Sequence, residues 1–198
     1  DTVAMDLTVR TDIPHGNACA VEVRPGPTDE VAFAADPRGG PEALWFRLRI
    51  ELGPAGTHRH VALALKHARN LLGVGNTENL RPAVRVDDGD WDRLPAPACR
   101  ERDDGRRELV WRLPAAGRAV DVALCYPYGR AEVDALLAET GGAWAAREIG
   151  VSAAGRALRR LSRGFGEPDG RRPGLYLLAR QHSGETPGSW VLDGLLRR

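Results

Sequence analysis

Lysine is almost missing from this 198-residue chain: Lys66 is the only one among 28 basic residues, and the other 27 are arginine. With so much alanine, glycine and proline beside them, the arginines read as the mark of a GC-rich coding sequence rather than of a function. Net charge is also small, a formal +1 at neutral pH, which argues against a dedicated nucleic-acid binder. No apolar run approaches the length of a membrane span. The longest, such as Val61–Leu65, are strand-sized, so no membrane partner is expected. The first thirty residues are studded with Asp, Glu and Arg, and no secretory apolar segment is expected there. Cysteine is scarce, odd in number and widely spaced (Cys19, Cys99, Cys125). That excludes a disulfide framework and points to a reducing, cytoplasmic location. Internal repeats and low-complexity linkers are absent. What remains is 42% apolar and 28% charged, too apolar for a disordered chain and long enough for one mid-sized or two small domains.

Up to about residue 126 the dominant signal has period two. Phe46-Arg-Leu-Arg-Ile-Glu-Leu52 alternates apolar and charged residues without a fault, as a strand with one buried face must. Val61, Leu63 and Leu65 alternate likewise, as do Leu109, Trp111 and Leu113, and Val120, Val122, Leu124 and Tyr126. Weaker strands are predicted at Met5–Thr11, Ala18–Val23, Val31–Phe33 and Ala83–Val86. Between these lie turn clusters such as Arg24-Pro-Gly-Pro27, Asp36-Pro-Arg-Gly-Gly-Pro41 and Asp87-Asp-Gly-Asp90. Many short strands with no convincing helix among them predict an all-β antiparallel sandwich over residues 1–126.

The period then changes. Val133, Leu136 and Leu137 share one face of a helix predicted from about Arg130 to Thr140, with Gly141 placed to cap its end. Mixed segments follow at Trp144–Ile149 and Gly155–Leu161. Leu175-Tyr-Leu-Leu-Ala179 is a continuous apolar run, as expected of a strand buried on both faces. A polar loop, Gln181–Glu185, comes next. Thr186 as cap and Pro187 as first helical residue then open a second helix carrying Trp190, Leu192, Leu195 and Leu196. Helix, strand, loop, helix is the start of an α/β domain, predicted over residues 127–198. Charge divides similarly: residues 1–140 carry 18 basic and 22 acidic side chains, residues 141–198 carry 10 and 5. The basic piece suits an acidic ligand, or is simply a solvated arginine-rich surface.

The informative stretch is Arg180-Gln-His-Ser-Gly-Glu-Thr-Pro-Gly-Ser-Trp190. His182 and Glu185 stand three apart between a predicted strand end and a helix start, where open α/β sheets bind ligands. Imidazole nitrogen and carboxylate oxygen are both good zinc ligands, and Gly184 lets the loop curl so that both can face one ion. The helix N-terminus favours Glu185 in its ionised form. Taken alone, H-x-x-E is a weak pattern that reads first as a pair of solvated loop residues.

The surrounding residues resemble the zinc metallocarboxypeptidases, in particular the cytosolic carboxypeptidase branch with its R-Q-H-P-G-E-T motif. Here it reads Arg180-Gln-His-Ser-Gly-Glu-Thr186, followed by Ser189-Trp190 and Gly194-Leu-Leu196. Upstream, Cys125-Tyr-Pro-Tyr128 resembles the Y-C-Y-P-Y segment where that family's β-domain meets its catalytic domain. Ser152-Ala-Ala-Gly-Arg156 resembles its S-x-x-G-R element, and Trp45-Phe-Arg-Leu-Arg49 a strand of its β-sandwich. The four motifs fall in the family's order along most of the chain. Ser183 replaces the usual proline, a departure that leaves both ligands intact.

The resemblance implies a β-sandwich followed by the truncated start of an α/β carboxypeptidase domain. It implies that His182 and Glu185 are two of three protein ligands of a catalytic Zn2+, and that the activity is removal of C-terminal residues, glutamate among them, from peptides or proteins. In the family the third ligand is a distant downstream histidine, and a glutamate base and carboxylate-holding arginines come after the first two ligands as well. Only 13 residues follow Glu185, and none is histidine. The third ligand and the catalytic groups are therefore expected outside this chain, which alone should be inactive and open to self-association through an incomplete sheet. The alternative is a non-catalytic sandwich module in which His182 and Glu185 are vestigial.

The other histidines (His15, His58, His60, His67) lie in the predicted sandwich. His58 and His60 share a strand face, yet Val61, Leu63 and Leu65 claim the inward face, so a turn-proximal polar pair is expected rather than a metal site. Gly73-Val-Gly75 and Gly164-Phe-Gly166 lack the context of a nucleotide loop and read as turns. Trp91 and Trp111 are expected in the core.

Overall fold

The computed structural model describes residues 7–40, 43–53, 60–71, 77–114, 117–164 and 173–198. The period-two segments become strands β1 (Thr8–Arg10), β2 (Ala18–Arg24), β3 (Asp29–Ala35), β4 (Arg47–Glu51), β5 (Val61–Leu65), β6 (Ala83–Val86), β7 (Asp92–Arg93), β8 (Ala98–Glu101), β9 (Arg107–Arg112) and β10 (Ala119–Ala123). They form two five-stranded sheets, ordered β1-β4-β10-β6-β7 and β2-β3-β5-β9-β8. Alternation decides which face is buried. Leu48 and Ile50 of β4 are fully buried while Arg47, Arg49 and Glu51 point away, and Leu109, Trp111 and Leu113 repeat the pattern in and after β9. The inward residues of both sheets belong to one hydrophobic cluster, and Phe33 of β3 meets Phe46 edge-on with ring centroids 5.2 Å apart. A shared core of two sheets is a β-sandwich.

One pair departs from the antiparallel expectation. β3 and β5 run parallel, Asp29 opposite Val61 through to Phe33 opposite Leu65. β4, which lies between them in sequence, belongs to the other sheet. The chain therefore crosses the sandwich twice and returns in its original direction.

Trp111 is in the core, 1% exposed, and its indole N–H donates to the Leu80 carbonyl at 3.4 Å. Trp91 is not. It is half-buried, with its ring 4.9 Å from the Arg85 guanidinium and 5.7 Å from that of Arg47. These arginines surround Asp121, which is 1% exposed in β10. Its Oδ1 accepts from Arg47 at 3.3 Å, and its Oδ2 from Arg49 at 3.2 Å and Arg85 at 3.1 Å. Arg49 and Arg85 stand directly opposite Asp121 on the two neighbouring strands, where opposite charges stabilise a sheet.

The chain divides into two compact units, Asp1–Pro127 with His182–Gly184, and Tyr128–Gln181 with Glu185–Arg198. The second holds helix α1 (Arg130–Glu139), strands β11 (Ala145–Val151) and β12 (Ala157–Ser162), and helix α2 (Thr186–Leu196). In α1 the Glu132 carboxylate accepts the Gly129 N–H at 2.6 Å at one end, and Gly141 takes a left-handed φ of 59° at the other. The two mixed segments pair as an antiparallel hairpin. Its turn explains Ser152-Ala-Ala-Gly-Arg156: the Ser152 hydroxyl accepts the Arg156 N–H at 3.1 Å, and Gly155 adopts φ 70°.

Leu175–Ala179 belongs to no strand among the described residues, contrary to the sequence reading, and Leu175 and Tyr176 are 83% and 76% exposed. The run has the composition of a doubly buried strand but no ladder to join. The described part of this unit is thus two helices and an antiparallel hairpin rather than a parallel sheet. No described helix is long and apolar enough to cross a membrane. All three cysteines are free thiols.

Candidate metal centre

The loop of residues 181–185 follows a residue in an uncommon conformation: Arg180 has φ 60°. Burial lowers its guanidinium below the ordinary value, with Glu132 opposing, and it donates to the Tyr128 carbonyl. Helix α2 begins immediately after the loop, one residue earlier than expected. Glu185 is the cap residue, Thr186 the first helical residue and Pro187 the second. Thr186, already inside the helix, does not cap; it is fully buried, and its hydroxyl has no hydrogen-bond partner among the described residues. Glu185 does not cap through its carboxylate either; it stands at the positive end of α2, where an anion is favoured.

His182 and Glu185 are both exposed. His182–Gly184 group with the first unit and Glu185 with the second. Gly184 lies where a side chain would run into the Leu44 carbonyl oxygen and approach Leu124 Cδ2 to 3.6 Å, so the loop backbone rests on the sandwich at a place only glycine fits. Nitrogen and oxygen donors of this kind fit zinc. Among the described residues no group of three or more His, Cys, Asp or Glu side chains could hold a metal. His60 stands exposed just before β5, His67 is exposed with φ 54°, and the His15 carbonyl accepts the Trp45 indole N–H at 2.8 Å. His58 lies outside the described residues, as do Gly73-Val-Gly75, Met5 and part of Gly164-Phe-Gly166.

Within the second unit a groove of about 490 Å³ is lined by Leu177, Leu178, Val191 and Leu195, with Arg180, Gln181 and Glu185 as its polar members. Helix α2 is inverted relative to an ordinary surface helix. Thr186, Ser189 and Asp193 are buried, while Val191 and Leu195 are 74% and 55% exposed. The Tyr128 hydroxyl donates to Asp193 Oδ2 at 2.9 Å, and Arg197 pairs with the same carboxylate. Burial, then the Asp193 hydrogen bond, push the Tyr128 phenol above its ordinary range. The sequence reading had missed Tyr128, Arg180 and Asp193 as a group. The signal available was the polar spacing Thr186, Ser189, Asp193, which marks a buried face running against the apolar one.

No protein-family model matches the chain, and no curated protein matches it. The fold does match solved structures, among them metallo-carboxypeptidases. A metallo-carboxypeptidase from Burkholderia cenocepacia aligns over 96% of this chain and 48% of its own, with TM-score 0.74 and 19% identity. A metallo-carboxypeptidase from Pseudomonas aeruginosa, solved in complex with (2-guanidinoethylmercapto)succinic acid, aligns over the same shares with TM-score 0.74 and 24% identity. The chain thus spans about half the length of the solved structures it matches, and the likeness is one of fold.

Proposed function

We propose that this chain is part of a zinc-dependent carboxypeptidase of the cytosolic carboxypeptidase-like branch, working in the cytoplasm. In this reading it supplies the sandwich and the first two metal ligands, His182 and Glu185. The observation that carries the reading is the R-Q-H-S-G-E-T loop leading into the N-terminus of α2, in a chain whose fold matches metallo-carboxypeptidases over 96% of its length. The third ligand, the general base and the groups that hold the substrate's terminal carboxylate belong, in this reading, to polypeptide outside this chain.

The chemistry that zinc supplies when bound is Lewis acidity toward a water and toward the scissile carbonyl. This chain's residues do the holding. His182 offers an imidazole nitrogen, and Glu185 offers a carboxylate whose negative charge the end of α2 favours. Gly184 lets the loop backbone lie on Leu44. The substrate is a peptide or protein C-terminus, and the excess of arginine after residue 140 favours an acidic one such as glutamate.

Zinc titrated into the chain tests the assignment, with His182 and Glu185 followed by NMR. Weak, reversible binding that perturbs both residues and disappears in His182→Ala and Glu185→Ala is expected. One zinc per chain retained through dialysis against a chelator would overturn the two-ligand account. No response at either residue would overturn the metal reading itself.

A further inference from the structure

Tyr128 is engaged through three separate groups, all inside the second unit. Its carbonyl accepts from the Arg180 guanidinium. Its hydroxyl donates to Asp193 Oδ2 at 2.9 Å. Its ring meets Trp190 edge-on, with centroids 5.0 Å apart and an interplanar angle of 86°. Arg180 is the last residue before the loop of residues 181–185, and Trp190 and Asp193 belong to the helix that begins after it. A single side chain and its own carbonyl therefore tie together the two stems of the loop.

The remaining contacts of this group point the same way. Asp193 is 4% exposed and is also held by Arg197, which pairs with Glu139 at the end of α1. The Trp144 indole N–H donates to the Leu196 carbonyl at 2.9 Å and fixes the far end of α2. With its phenol pushed up by burial and by the Asp193 carboxylate, Tyr128 remains a hydrogen-bond donor throughout the neutral range. Val191 and Leu195 are exposed and Leu192 and Leu196 only half-buried, so hydrophobic burial alone does not orient α2 and these polar ties contribute to its direction.

We infer that Tyr128, acting through Asp193, is a positioning residue for Glu185: it holds the loop stems so that this ligand is presented at a fixed place within the second unit. This rests on the zinc reading above. Groups that orient metal ligands without touching the metal set affinity by restricting where the ligands can go.

The test is a titration of Zn2+ alone into the full chain, read by NMR at Glu185 and His182, in wild type, Tyr128→Phe and Asp193→Asn. Tyr128→Phe keeps the ring on Trp190 and removes only the hydroxyl. Each variant is expected to weaken zinc binding about tenfold, and the double variant by no more than the larger single effect, because both weaken the one Tyr128–Asp193 hydrogen bond, Tyr128→Phe by removing its donor and Asp193→Asn by removing the charge of its acceptor. Leu136→Val is the control: Leu136 is 1% exposed on α1 of the same unit, so the change lowers stability without touching the link. Its zinc affinity should equal that of wild type. Unchanged affinity in Tyr128→Phe, or an equal loss in Leu136→Val, would overturn the positioning role while leaving the zinc reading standing. Absence of any zinc response in wild type would remove both.

Discussion

Replacing Asp121 by asparagine isolates the strongest charge arrangement in the sandwich. The amide has the carboxylate's shape, but it leaves Arg47, Arg49 and Arg85 converging on a group without charge, and its NH2 turns a donor toward donors. A hydrogen bond to a charged group is worth about 1.5–3 kcal/mol, but three arms on one acid do not add independently. The arginine side chains are 12%, 28% and 23% exposed, so water recovers part of their solvation. Removing one side of a fully buried pair costs about 3–5 kcal/mol, and with that screening a loss of about 3 kcal/mol is expected. Arg85→Met is the informative partner. It leaves Asp121 two arginines and gives up one partly solvent-screened arm plus the stacking on Trp91, together about 1–2 kcal/mol. The ordering is the prediction: the acid costs more than any one of its bases.

Urea unfolding of the full chain followed by tryptophan fluorescence measures both changes, and thermal melts should place Asp121→Asn about 10 °C below wild type. Because Asp121 is buried, the difference between the variants should change little between low and high salt. A cost for Asp121→Asn no greater than for Arg85→Met would mean that the three guanidiniums are solvated independently. The cluster would then be a set of ordinary surface contacts.

The Asp87 carboxylate is held below its usual range by the backbone N–H groups of Arg118 and Ala119, at 2.8 and 2.9 Å. Its contribution to stability is therefore full above the unfolded carboxylate value and lost as pH falls through the lower folded value, so stability should decline below about pH 4. Asp87→Asn should show a shallower decline when urea midpoints are compared from pH 6 to pH 2, and an unchanged slope would refute the assignment. Leu178, 61% exposed beside the groove of the second unit, bears on self-association through the unpaired apolar segment. Sedimentation at increasing concentration should show wild type associating and Leu178→Glu remaining monomeric; equal behaviour of the two would dismiss that surface as the cause.

The sandwich was legible because its signal is local. Phe46 to Leu52 assign themselves to two faces by alternation, and Leu48 and Ile50 are buried as alternation requires. The parallel pairing of β3 and β5 was not legible, because it depends on β4 leaving for the other sheet, and no property of Val31–Phe33 or Val61–Leu65 records that. Trp91 was misplaced for a related reason. A large aromatic looks like core until the arginines of β4 and β6 are known to lie against it, and those come from segments 44 and 6 residues away.

The candidate site divides along the same line. Its residue types were legible: an imidazole and a carboxylate three residues apart, a bare glycine between them and a helix start after them can all be read from a few consecutive residues. Its mechanical support was not. Tyr128 reaches Asp193 across 65 positions, and nothing near either residue announces the other. Leu175–Ala179 fails in the opposite direction: composition alone assigns it to a buried strand, while strandhood requires neighbours that no described residue provides. A ligand can be recognised by what it is. A residue that aims the ligand is recognised only by what it touches, and for this loop that means the hydroxyl and carbonyl of one tyrosine at the head of the second unit.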